Sequence, residues 1–229
     1  MSSAPGLLAS AWLIARKDLA IEFRTRSAFL SALVLSLLAI VIFYFAWDPT
    51  AVGAGDLAPG VLWVTFTFSG LLGLHRSFGV EAQEGAMDAL LIAPVPRQAI
   101  FLGKALANLV FVLGVQAVAV PAMVLFYGVG VGAAWPALIG VMVLAAIGLV
   151  AIGTLFAGLT ANTRLAELLL PVLALPFFVP IVMPAAQATA KLLAGRPLAE
   201  TFAWLRILLA FDLVFVYACM LVFPATLDD

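Results

Sequence analysis

The sequence predicts an all-α membrane protein of six spans, with an interfacial helix before the first span and a short charged helix between the second and third. Three observations lead there. The chain is 66% hydrophobic and 10% charged, with a mean hydropathy of +1.22, where a soluble domain has about 25% charged residues. At about 20 residues per span, the 229 residues accommodate six helices and their connections, with no domain left over. The long polar interruption, residues 76–104, holds Arg76, Glu81, Glu84, Asp88, Arg97 and Lys104. Residues 1–229 are therefore expected to form one transmembrane domain.

Residues 7–26 open the chain as a mixed segment. Leu8, Trp12, Leu19 and Phe23 share one helical side while Lys17 and Arg24 sit on another, the pattern of a helix lying in the headgroups. A cleaved signal peptide is the alternative, but Arg16, Lys17, Asp18, Glu22, Arg24 and Arg26 stand where its apolar core belongs. The first span is 28–47, ending at Asp48-Pro49. The second, 59–74, is short and rich in Thr65, Thr67, Ser69, Gly70 and Gly73, which suits close helix packing.

In the polar stretch, residues 81–93 are good helix formers. At about 100° per residue Glu81, Glu84 and Asp88 fall on one side and Gln83, Met87 and Leu90 on the other. Pro94 and Pro96 end this amphipathic helix, because proline cannot donate a backbone hydrogen bond and restricts the residue before it. The helix has two readings, a solvated loop or a docking element for a soluble partner. The third span, 105–127, is interrupted by Asn108, Gln116 and Pro121, and the fourth, 135–159, carries Gly140, Gly148 and Gly153. The fifth, 165–183, holds Pro171, Pro176 and Pro180 and is expected to be kinked or broken. Residues 185–200 form a second mixed segment outside the core, and 202–223 is the sixth span.

Lysine and arginine set the expected orientation. With the N-terminus inside, Arg16, Lys17, Arg24, Arg26, Arg76, Arg97, Lys104 and Arg164 are cytoplasmic, leaving Lys191, Arg196 and Arg206 outside. Both termini are then cytoplasmic, the 76–104 stretch is cytoplasmic, and Trp47, Trp63, Trp135 and Trp204 line the outer interface. The formal net charge of −1 suggests no nucleic-acid partner. Cys219 is the single cysteine and His75 the single histidine, which leaves no disulfide within the chain and no Cys or His metal cluster.

The residues also carry a resemblance. Arg76-Ser77-Phe78, Glu81, Glu84-Gly85, Leu90-Leu91, Pro94, Arg97 and Gly103-Lys104 resemble the cytoplasmic loop of ABC-2-type exporter membrane subunits. Lys17-Asp18-Leu19 with Glu22 and Arg24, the run from Ala58 to Trp63, and Leu168 to Pro171 with Pro180 extend the likeness over most of the chain to the CcmB family. Met87-Asp88 and the Asp228-Asp229 tail depart from that family's pattern.

The resemblance implies a type II ABC exporter fold, with an elbow helix at the N-terminus and a coupling helix at 81–93 that docks on an ATPase. Glu81, Glu84, Gly85, Asp88, Leu91, Pro94 and Arg97 would make the ATPase contact. Arg16, Lys17, Asp18, Glu22, Arg24, Arg76 and Lys104 would form the elbow and cytoplasmic interface. It further implies the permease subunit of a cytochrome c maturation complex in the bacterial inner membrane, handling haem and releasing a haem-loaded periplasmic chaperone at the expense of ATP. The implied partners are a CcmA-like ATPase, a CcmC-like haem-handling membrane protein, a CcmD-like single-span subunit and a CcmE-like chaperone. Two copies of the chain would pair through the first span and the outer end of the fifth. ATP and magnesium belong to the ATPase and haem to other subunits, so no cofactor is expected on this chain.

Absences agree with that division of labour. The P-loop G-x-x-x-x-G-K-[ST] is missing, since Gly103-Lys104 is followed by Ala105 and lacks the earlier glycine. Haem ligation usually takes His or Met, but His75 reads as a loop residue, and Met123, Met142 and Met183 read as packing. Asp212 lies near the middle of the sixth span, where charge is costly. It reads either as a protonated or hydrogen-bonded aspartate between helices or as a polar point on a ligand or proton route. A proton-coupled carrier would need more such groups, and a membrane enzyme a nucleophile and base or a metal cluster. An exporter of lipid, drug or polysaccharide, or a membrane scaffold that transports nothing, remains the alternative.

Overall fold

The computed structural model of the chain describes residues 6–84, 95–161, 163 and 165–227. Among them the regular structure is helical: α1 (Leu7–Thr25), α2 (Ser27–Ala46), α3 (Ala54–Glu84), α4 (Arg97–Tyr127), α5 (Trp135–Thr160), α6 (Ala166–Leu193) and α7 (Leu198–Val222). The six helices α2 to α7 are each long and apolar enough to cross a membrane. They alternate in direction. The α1 helix, the end of α3, the start of α4 and the end of α7 therefore gather at one end of the bundle, here called the α1 end.

Local chemistry explains the turn from α1 into α2. Arg26 adopts the left-handed conformation at φ 53°, and its N–H donates to the Glu22 carbonyl at 2.6 Å. The Glu22 carboxylate in turn accepts from the Phe29 N–H at 2.7 Å. An anion on an otherwise unpaired amide of the first turn satisfies the donor and complements the helix dipole, so α2 begins without a serine or threonine cap.

The α5 helix is central and packs on α3, α4, α6 and α7. Its alanines and glycines permit that closeness. A Cβ on Gly148 would collide with Asp212 Oδ1 and the Ile181 side chain, so glycine is required for α5 to reach α6 and α7 there. Polar side chains within the bundle pair across helices. Asn108 Nδ2 donates to Thr154 Oγ1 at 3.2 Å, and Trp63 Nε1 to Thr189 Oγ1 at 3.0 Å.

Several element boundaries differ from expectation. The second span, Ala54–His75, starts earlier than expected, and the helix that holds it continues to Glu84. His75 therefore sits half-buried inside a helix, not in a loop. The third span starts at Arg97, and neither Asn108 nor Gln116 interrupts it, because both side chains are buried against neighbouring helices. The α6 helix is unbroken despite Pro171, Pro176, Pro180 and Pro184. The last three recur every four residues, so their missing N–H groups fall along one side and the rest of the ladder holds. Residues 185–193, expected outside the core, continue α6 and bury Ala185, Ala188, Thr189 and Leu192. Trp63 belongs to the core and not to an interfacial belt, being 1% exposed, since Thr189 supplies the partner its indole N–H needs.

Candidate functional site

At the α1 end, three helices meet on one lysine. Lys104, in the second turn of α4, is completely buried, and its Nζ lies 3.3 Å from Asp18 Oδ2 on α1. It also donates to the Ser77 carbonyl of α3 at 2.8 Å and sits 4.5 Å above the Phe78 ring. An ammonium removed from water is tolerable only where paired and hydrogen-bonded, and here a carboxylate, a carbonyl and an aromatic face share the task.

The packing around this lysine draws in the end of α7. Phe223 stands 5.3 Å from the Phe101 ring and 6.1 Å from the Phe78 ring, and Arg97 Nη1 donates to the Pro224 carbonyl at 3.3 Å. The α1 helix reaches α4 closely because Gly103 has no side chain. A Cβ there would stand 2.7 Å from both the Ala11 carbonyl oxygen and Ile14 Cβ. Lys104 is thus joined to the interfacial helix, to the far end of α3 and, through the aromatic trio, to the end of α7.

The sequence-expected residues divide around this arrangement. Asp18 and Lys104 are in direct contact, and Glu22 serves α2. Lys17 is exposed and 3.2 Å from Asp18 Oδ1, while Arg16 and Arg24 face outward from α1. Arg97, expected at a partner, reaches Pro224 of its own chain. Gly85, Asp88, Leu91 and Pro94 lie outside the described residues, as do the side chains of Arg76, Glu81 and Glu84. The backbone carries α3 to Glu84, so Glu81 and Glu84, the first residues expected in a separate coupling helix, continue the helix that holds the second span. Asp212 is 4% exposed between α5, α6 and α7, and neither carboxyl oxygen has a hydrogen-bond partner among the described residues.

Ser77, Phe78, Gly103 and Phe223 complete the site without having been expected in these roles. The first three belong to runs already conspicuous in the sequence, but Phe223 looks there like any aromatic residue at the end of a span.

Comparison with known proteins settles the family. Residues 9–228 match the family described as CcmB protein. The chain belongs to the CcmB family. Heme exporter protein B of Paracoccus denitrificans is 31% identical over 179 residues, covering 78% of this chain and 82% of that protein. The Rhodobacter capsulatus protein of the same name is 30% identical, over 75% of this chain and 78% of its own length. That of Pseudomonas aeruginosa is 27% identical, over 88% and 90%. The CcmB match takes in all seven helices, so Lys104 with its partners, the 85–94 segment and Asp212 fall within the family region.

Proposed function

We propose that the chain is the permease subunit of an ATP-driven haem-export assembly of the bacterial inner membrane, and that a separate ATPase docks on the segment following α3. The observation that carries this reading is the attachment of α3 to α1 and α4 at Lys104. A push on the segment beyond Glu84 enters α3 along its axis. It cannot move the last turns alone, because Lys104 would lose the Ser77 carbonyl and keep a buried charge with fewer partners. The neighbouring helices must follow, as a coupling device requires. The name of the relatives, heme exporter protein B, supports haem as the exported or handled group.

In this reading the α1 end is cytoplasmic, hydrolysis belongs to a CcmA-like subunit, and haem is cargo. CcmC-like and CcmD-like membrane proteins complete the assembly, and the work done is release of a haem-loaded CcmE-like chaperone. Glu81, Glu84 and Asp88 form the acidic stripe that meets the ATPase, with Gly85, Leu91 and Pro94 shaping the segment.

The test is detergent pull-down of the ATPase. Reversing the middle charge with Glu84→Lys opposes like charges in a partly buried contact, at about 2 to 5 kcal/mol or more than tenfold in affinity. Asp56→Lys, exposed in the first turn of α3 at the other end of the bundle, should leave the pull-down unchanged. If Glu84→Lys retains the ATPase as well as the parent chain, with equal membrane levels, the stripe is a solvated face and the docking assignment fails.

A further inference from the structure

Beside the contact of α1 with α4 lies a cavity of about 350 Å³. Leu8 and Trp12 of α1, Leu106 and Leu109 of α4, Val150 of α5 and Val216 of α7 form much of its wall, and every lining residue is hydrophobic. Phe101 and Leu109, both on the wall, are eight residues or about 12 Å apart along α4, so the space runs from the level of α1 into the apolar part of the span. Its mouth reaches the surface, since Leu8 is 77% and Trp12 58% exposed. An apolar space of this kind takes no water. It is also smaller than one turn of a helix about 10 Å across, so no spanning helix fills it. A hydrocarbon chain fits.

The rim supplies a charge. Arg16 follows Trp12 by one turn, about 6 Å, on the same side of α1. It is exposed and has no hydrogen bond or ion pair among the described residues. The nearest acid in the sequence, Asp18, lies about 200° around α1 from it and is held by Lys17 at 3.2 Å and Lys104 at 3.3 Å. From this we infer that the chain holds one anionic phospholipid of the leaflet at the α1 end, with an acyl chain in the cavity and the phosphate on Arg16. The guanidinium fork matches two phosphate oxygens, and the acyl chain covers the apolar walls that α1 leaves open. Both leaflets contain phospholipid, so the site is independent of the orientation of the chain.

The experiment reconstitutes the full chain in phosphatidylethanolamine vesicles containing a small fraction of phosphatidylglycerol with a photoreactive group midway along one acyl chain. Illumination and mass spectrometry should place adducts on Leu109, Val150 and Val216, in severalfold higher yield than on Leu213 and Val214, which are exposed on α7. Arg16→Gln should lower the yield on the wall about fivefold, the worth of one basic residue beside an anionic headgroup. It should leave the smaller yield from phosphatidylethanolamine with the same label unchanged. Arg24→Gln, which removes an exposed charge two turns further along α1, should change neither. Ala105→Phe puts a ring into the cavity and should abolish the wall adducts, with a melting temperature no lower than the parent's showing that the fold is kept. Absence of wall adducts in the parent chain, adducts that follow exposure alone, wall adducts that survive a folded Ala105→Phe, or a yield indifferent to Arg16→Gln would each overturn the inference.

Discussion

Lys104 Nζ and Asp18 Oδ2 lie 3.3 Å apart, and the lysine side chain is wholly buried while that of the aspartate is 14% exposed. The pair joins residues 86 positions apart in the sequence and fixes the interfacial helix to the base of α4. Its asymmetry matters, because the aspartate retains some access to water and the lysine has none.

Removing the acid should therefore cost more than removing the base. Asp18→Asn takes the carboxylate from a buried ammonium and leaves it the Ser77 carbonyl and the Phe78 ring, at about 3 kcal/mol, whereas the loss of the exposed Lys17 contact is worth little. Lys104→Met keeps the volume, removes the buried charge and should cost less than about 1.5 kcal/mol. The double substitution should then be more stable than Asp18→Asn alone, a non-additivity typical of groups in contact. Thermal unfolding of the purified chain in detergent reads the order, and a Lys104→Met protein less stable than Asp18→Asn would refute the argument.

Where α5 crosses α7, Gly148→Ala should destabilise by about 1 to 3 kcal/mol through overpacking, since the added methyl group meets Asp212 and Ile181. Trimming one obstacle with Asp212→Ser should recover part of that loss. Asp212→Leu alone removes two buried oxygens that lack partners among the described residues and should raise the melting temperature. A melting temperature several degrees below the parent's would mean that the carboxyl group holds the bundle together.

The loop between α2 and α3 contains an acid-sensitive turn. Asp48 Oδ1 accepts from Thr50 Oγ1 at 2.6 Å and from Thr50 N–H at 2.9 Å. These bonds, the hydroxyl's first, hold the carboxyl below its ordinary 3.8. The folded group is therefore the stronger acid, so its contribution to the turn is present above the ordinary value and disappears as pH falls through the folded one. A carboxyl-carbon NMR titration should find Asp48 in Thr50→Val shifted back toward the ordinary value. Identical midpoints in parent and variant would discard the hydroxyl as cause.

The distribution of lysine and arginine predicts the topology. Single cysteines at Gln83 and Gly53, on a Cys219→Ser background, should react with an impermeant thiol reagent from opposite sides, with Gly53 labelled in intact cells. Labelling of Gln83 from outside the cell would reverse the orientation.

What the sequence by itself determined was the class of the molecule. Burying so apolar a chain in lipid demands helices whose backbone groups are satisfied internally, and their number follows from length. Charge placement marked the 76–104 stretch, and motif likeness pointed to the family, because both are properties of residues read in order. Tertiary packing decided which charges leave water. Lys104 looks like an interfacial lysine in the sequence, and only the approach of α1 and α3 supplies the carboxylate, carbonyl and ring that let it be buried. The same holds for Trp63, which has the composition of a belt residue until Thr189 of α6 offers its hydroxyl. The length of α3 and the continuity of α6 were likewise settled by neighbours, since a glycine-rich or proline-bearing helix persists where surrounding helices bury its sides. Arg206 is the converse, a residue left exposed on α7 with no ion pair or hydrogen bond among the described residues.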